Sequence, residues 1–302
     1  MRIVSLLSSA TEIVHELGLD DELVAISHEC DHPPQLLDRP RVSRSRFDPA
    51  GLTSGEIDAE VRRQMELHGG VYQVDAGRLE RLRPDLMLTQ GVCEVCAVPV
   101  ASVEAVVEEM EHPPRVLSLD AHTLEGILAT IRQVAVAAGR PELGEGAVSR
   151  LRGRLAEVTE RVAGRARPRV LVLEWLDPPF APGHWLPEMV QLAGGDNLLG
   201  AAGKRSVEVS WERIADLDPD VLLLAPCGYD LEQTRSDAGR HRERLEGTAR
   251  RAVSEGRAWL LHSGYFSRSG PRVVRGVEAL AALLHPGSFP AGSLGGVAEP
   301  WA

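Results

Sequence analysis

Pro84-Asp85-Leu86-Met87-Leu88-Thr89-Gln90-Gly91-Val92-Cys93-Glu94-Val95-Cys96 decides the fold. Its first part, Asp85 to Thr89, is a short apolar run of the kind buried on both faces of a parallel sheet. It passes directly into a Cys-x-x-Cys loop. The run is echoed later: Leu82-x-Pro84-Asp85-Leu86-Met87-Leu88 returns as Leu217-x-Pro219-Asp220-Val221-Leu222-Leu223, and that strand leads to Cys227. A third strand, Glu22 to Ser27, leads through His28-Glu29 to Cys30. All four cysteines therefore follow the carboxyl end of an expected strand. In open α/β sheets, that edge is where ligands bind.

Working outward, the chain alternates strands and helices. Residues 2–6, 22–27, 85–89 and 115–119 read as strands, with helices at 10–17, 57–67, 76–82, 100–110 and 124–138. This alternation predicts a mainly parallel sheet covered on both faces. Ser9-x-x-Glu12 reads as a capping box for the first helix. A Pro-free amphipathic stretch, with apolar residues at Val148, Leu151, Leu155, Val158 and Val162, predicts one long helix between two α/β halves. The strand–helix pattern then restarts at Arg169. The expected organisation is a first lobe over 1–140, a joining helix over 141–167, a second lobe over 168–286 and a flexible tail over 287–302.

Composition narrows the function. The 302 residues exceed what one core comfortably serves, since single cores stop growing near roughly 250–300 residues. A hydrophobic content of 43% with 25% charged residues is that of a globular protein. A net charge of −11 argues against nucleic acid or an anionic membrane as partner. The start of the chain shows no apolar stretch of signal-peptide length, which predicts a cytosolic protein with reduced cysteines. No phosphate loop, Rossmann glycine fingerprint, G-x-S-x-G elbow or H-E-x-x-H motif is present, so nothing points to an enzyme.

Several motifs together resemble the cobalamin and iron-siderophore solute-binding proteins of ABC importers. They are Ile3-Val4-Ser5-Leu6-Leu7-Ser8-Ser9-Ala10-Thr11-Glu12, the two L-x-P-D strands, His28-Glu29-Cys30-Asp31, Cys93-Glu94-Val95-Cys96, Val172-Leu173-Glu174-Trp175-Leu176-Asp177-Pro178-Pro179, Gly183-His184-Trp185 and Pro226-Cys227-Gly228. The resemblance runs from residue 1 to about 286. It implies a periplasmic-binding-protein-like fold in which two lobes are joined by one helix, with a ligand in the cleft and little hinge motion. The implied cargo is a metal-containing chelate, a cobalamin or other corrinoid, and the implied partner is an importer permease. Glu94 and Glu212 occupy positions suited to docking on that permease.

The residues themselves offer two site chemistries. Cys30, Cys93, Cys96 and Cys227 would suit tetrahedral zinc or an iron–sulfur cluster if they converge. Otherwise they are buried thiols or a redox pair. The second chemistry is aromatic. Of twelve aromatic residues, Trp175, Phe180, Trp185, Tyr229, Tyr265 and Phe266 fall in second-half loops and could offer flat faces to a macrocycle. His28, Glu174 and Arg268 complete the candidate ligand-binding set, as polar groups that could orient a ligand. Arg44, Arg46 and Arg272 are further guanidinium candidates.

Overall fold

A computed structural model describes residues 1–92, 98–290 and 292–301. Two sheets carry the fold, and they share a strand order. In the first half, Leu23–Ala25, Ile3–Ser5, Leu86–Thr89 and Arg115–Ser118 lie side by side, all parallel. In the second, Asp196–Asn197, Arg169–Leu173, Val221–Leu224 and Ala258–Leu261 repeat that arrangement. Each order places the chain reversal between the first strand of the half and the L-x-P-D strand. That point opens a crevice beyond the carboxyl ends.

The duplicated L-x-P-D segment does the same work twice. Arg83 and Asp218, each just before its proline, adopt left-handed conformations at φ 45° and 40°. The turn brings the preceding helix back into the sheet. Asp85 Oδ2 then accepts the Arg2 amide at 2.7 Å, and Asp220 Oδ2 accepts the Arg169 amide, also at 2.7 Å. Each aspartate thereby fixes the start of the neighbouring strand with a charge-assisted bond.

The joining helix runs Pro141–Val162, five residues shorter at its end than expected. Its buried stripe, Ala147, Val148, Leu151, Val158 and Val162, belongs to one core that also contains Ile13 and Ile131 of the first half and Val172 and Leu280 of the second. Gly144 allows the close approach to helix Leu124–Ala137, because a Cβ there would stand 2.7 Å from the Ala135 methyl carbon. Arg154 grips Glu278 through two bonds, at 2.7 and 2.8 Å. The outer faces of the two sheets have cores of their own.

Two expectations fail here. The end of the chain is no flexible tail: Ala298–Pro300 pairs antiparallel with Ala258–Leu261, and Trp301 is buried. An apolar anchor and a vacant sheet edge outweigh the Pro- and Gly-rich composition. Ser9-x-x-Glu12 is no capping box either. The helix begins earlier, at Ser8, and Glu12 is drawn into the interior by Arg272.

Candidate ligand-binding cleft

The carboxyl edge of the second sheet carries an aromatic platform. Strand Arg169–Leu173 continues through Glu174 into a hairpin, Trp175–Leu176 against Pro179–Ala181. Trp175 lies directly opposite Phe180, so both rings stand on one face of the hairpin. From the end of the adjacent strand, Tyr229 places its ring centroid 5.1 Å from that of Trp175. Trp175 Nε1 donates to the carbonyls of Asp177 at 3.1 Å and Ser54 at 3.3 Å, fixing the indole. All three rings are only half-buried. Burial, aided by Asp237, pushes the Tyr229 phenol up to about 12, so the platform stays uncharged.

The first half contributes a more polar edge. His28 Nδ1 lies 2.8 Å from Ser43 Oγ, its Nε2 lies 3.0 Å from Glu29 Oε1, and its ring packs 4.9 Å from Tyr72. The His28 bond holds the Glu29 carboxyl below its ordinary range. Three sets of contacts then tie the halves. Glu12, 2% exposed, accepts from Arg272 at 2.5 Å, while Arg268 forks onto Asp31 at 2.5 and 2.8 Å. Gly270 makes room for this knot, since a Cβ there would come 2.7 Å from Glu12 Oε2. Ser54, at the start of helix Ser54–His68, donates to the buried Asp237 at 2.9 Å. On a third side, His122 Nδ1 meets His184 Nδ1 at 3.3 Å.

The expected ligand set therefore divides. Trp175, Phe180 and Tyr229 converge; His28 sits on the opposing edge. Glu174 ends its strand as anticipated and accepts the Ser206 hydroxyl. Tyr265 is half-buried beneath the Arg272 guanidinium, 4.9 Å from its ring centroid. Trp185 and Phe266 are corrections. Phe266 is fully buried and Trp185 only 7% exposed, with its Nε1 donating to the Phe266 carbonyl at 2.7 Å. Phe266 ends the short helix Ser263–Phe266 and Trp185 caps the start of helix Leu186–Leu192, and both turn into the shared core. Arg268 is already saturated by Asp31, so it is a tie between halves and not an open fork.

The four-thiolate centre finds no support. Cys30 is 2% exposed, its Sγ lies 3.1 Å from Thr11 Oγ1, and burial pushes its thiol up, away from the thiolate form. Cys227 is exposed, while Cys93, Cys96 and Glu94 lie outside the described residues. Among the described residues, no group of three or more His, Cys, Asp or Glu side chains could hold a metal ion. Depressions of about 580 Å³ near Arg167 and about 510 Å³ near Arg83 open at the amino edges of the sheets. Ligand crevices lie at the other edge.

The periplasmic binding protein family model matches residues 3–257. The chain belongs to that family. Its members are solute-binding proteins and not enzymes. A vitamin B12-binding protein of Vibrio cholerae is 25% identical over 297 residues, covering 94% of this chain and 88% of its own. An uncharacterised ABC transporter substrate-binding lipoprotein of Bacillus subtilis is 23% identical, with 95% and 81% covered. Among solved structures, a periplasmic heme-binding protein from Pseudomonas aeruginosa superposes with a TM-score of 0.75 at 23% identity, covering 100% of this chain and 98% of its own. The periplasmic vitamin B12-binding protein of Vibrio cholerae gives 0.68 at 23%, with 94% and 96% covered. These structures share the fold.

Membership in this family overturns the cytosolic expectation, because its proteins are periplasmic and a relative is a lipoprotein. The assumption of reduced cysteines falls with it. Sequence reasoning did not assign Glu12, Asp31, Asp237, His122 or His184 the contacts that tie the halves. Three of them stood in quoted motifs, Glu12 at the end of the first, Asp31 after His28-Glu29-Cys30 and His184 before Trp185, but their partners are far away in sequence.

Proposed function

We propose that this periplasmic binding protein captures a corrinoid of the cobalamin type in the cleft between its halves and delivers it to an ABC importer. Residues 1–140 and 168–286 act as the two lobes, and the helix between them sets their spacing. One observation carries the reading: Trp175, Phe180 and Tyr229 form an uncharged, half-exposed aromatic platform at the switch point of the second sheet, with the Trp175 and Tyr229 rings tilted to each other by 55°. Such rings cover a large planar ligand at low entropic cost. The names of the relatives from Vibrio cholerae support the same cargo. His28 and Glu174 face this cargo as polar groups at the rim, and the tied halves supply a preformed site with little closure to drive.

Titration of the purified protein with cyanocobalamin and with hemin, followed by tryptophan fluorescence, tests this. Saturable one-to-one quenching by cyanocobalamin is the expected result. Quenching by hemin with none by cyanocobalamin would replace the corrinoid with a heme as cargo.

A further inference from the structure

His122 and His184 lie apart from the aromatic platform, and each is held from behind. Behind His122, Asp120 Oδ1 accepts the Gly91 amide at 2.6 Å and Asp120 Oδ2 accepts the Ser118 hydroxyl at 2.9 Å. On its other side, Thr123 caps helix Leu124–Ala137 through the Gly126 amide at 3.0 Å. His184 comes from the second half in a left-handed conformation, φ 51°. A backbone clamp keeps it there: its amide donates to the Lys204 carbonyl at 2.6 Å, and its carbonyl accepts the Gly203 amide at 2.8 Å. Non-glycine residues held this way persist only where the surroundings over-determine them, and they cluster at ligand sites.

The result is two imidazoles from opposite halves, one exposed and one half-buried, with their Nδ1 atoms 3.3 Å apart. The ring centroids are 5.4 Å apart, so the nitrogen edges approach each other and the ring faces do not. Without a metal, the pair at this distance shares one N–H···N bond when either Nδ1 carries a proton. The spacing does match metal ligation. Two nitrogens each about 2.0–2.1 Å from a tetrahedral centre stand roughly 3.3–3.4 Å from one another. Two axial nitrogens on opposite sides of a macrocycle-bound metal would instead be about 4 Å apart. The geometry therefore selects a bare ion over the metal of a planar chelate.

We propose that His122 and His184 bind one divalent transition-metal ion, of the kind that takes nitrogen ligands tetrahedrally, and that this ion ties the first half to the second at the rim of the cleft. Water fills the two remaining positions. Asp120 and Glu188 stand close by but are engaged by the Gly91 and Leu124 amides. They temper the ion's charge without ligating it. The site is separate from the chelate platform, so it would add a second, cargo-independent way of fixing the lobes.

Calorimetric titration of the tag-free protein with Zn2+ decides the matter. One-to-one binding is expected, weakened at least about tenfold by His122→Asn and by His184→Asn alike. Asparagine tolerates a left-handed backbone better than most residues, so the second variant keeps its fold, which a circular dichroism melt without metal checks. The double variant Cys93→Ser, Cys96→Ser should bind Zn2+ as the parent does, and the Co2+ adduct should lack a thiolate charge-transfer band. Absence of Zn2+ binding, binding that survives both histidine substitutions, loss of binding in the cysteine variant, or a thiolate band would each overturn the proposal.

Discussion

The two halves of this chain share a sheet order and a strand-starting device, yet they present different edges to the cleft. Asp85 and Asp220 make the same bond to the same place in each half. Beyond the strands the likeness ends. The second half offers Trp175, Phe180 and Tyr229, whereas the first offers His28, bonded to Ser43 and Glu29. The repeated segment builds the sheet, and the loops after it, free to differ, build the candidate site. Stability should therefore respond alike to matched changes in the two halves, while ligand affinity should not.

The largest effects separate aromatic core from aromatic platform within the second half. Phe266→Ala removes a fully buried ring from the shared core and should cost about 3–5 kcal/mol in a urea melt. Trp175→Ala should leave stability nearly unchanged and weaken cyanocobalamin about tenfold to hundredfold by fluorescence-independent titration. If His28→Ala on the opposing edge weakened the cargo as much as Trp175→Ala, the asymmetry between the edges would be lost.

The matched aspartates come next. Asp85→Ala should cost about 1 kcal/mol, the worth of one exposed charge-assisted bond to an amide. Asp220→Ala should cost somewhat more, about 1–2 kcal/mol, because Asp220 also pairs with Arg251. Equal losses in chemical denaturation would mean that Arg251 adds nothing. A larger loss for Asp85 would break the equivalence of the two motifs.

Much of this was legible in the sequence, for reasons that are local. Continuous apolar runs after L-x-P-D mark buried parallel strands wherever they occur, and an apolar stripe at helical spacing marks the joining helix. Trp175, Phe180 and Tyr229 stand out in the sequence because each closely follows such a strand. Trp185 and Phe266 follow strands too, but the one at the start of a short helix and the other at the end of one both turn inward. Glu12 looked like a cap because its true partner, Arg272, is 260 residues away. Asp237 lay in a charged helical stretch that reads as a solvated face until Ser54 of the other half covers it. Charges that join the halves carry no local signature.

That covered aspartate gives the smallest and most diagnostic effect. Burial pushes the Asp237 carboxyl above its ordinary 3.8, against the opposing bond from Ser54. The folded state therefore binds the proton more tightly than the unfolded chain does. Across the window from 3.8 upward to the folded value, stability rises as the pH falls and declines as the pH climbs. Asp237→Asn keeps an acceptor for Ser54 and removes the ionisation. The variant should gain on the parent as the pH is raised through that window in parallel urea melts, and hold the gain above it. His241 supplies the contrary possibility, since its Nε2 stands 3.7 Å from Asp237 Oδ1. Were this contact to outweigh burial, the margin would reverse and the parent would be favoured as the pH climbs. Because Ser54 belongs to the first half and Asp237 to the second, the sign of that margin also tells whether acid tightens or loosens the bond between them.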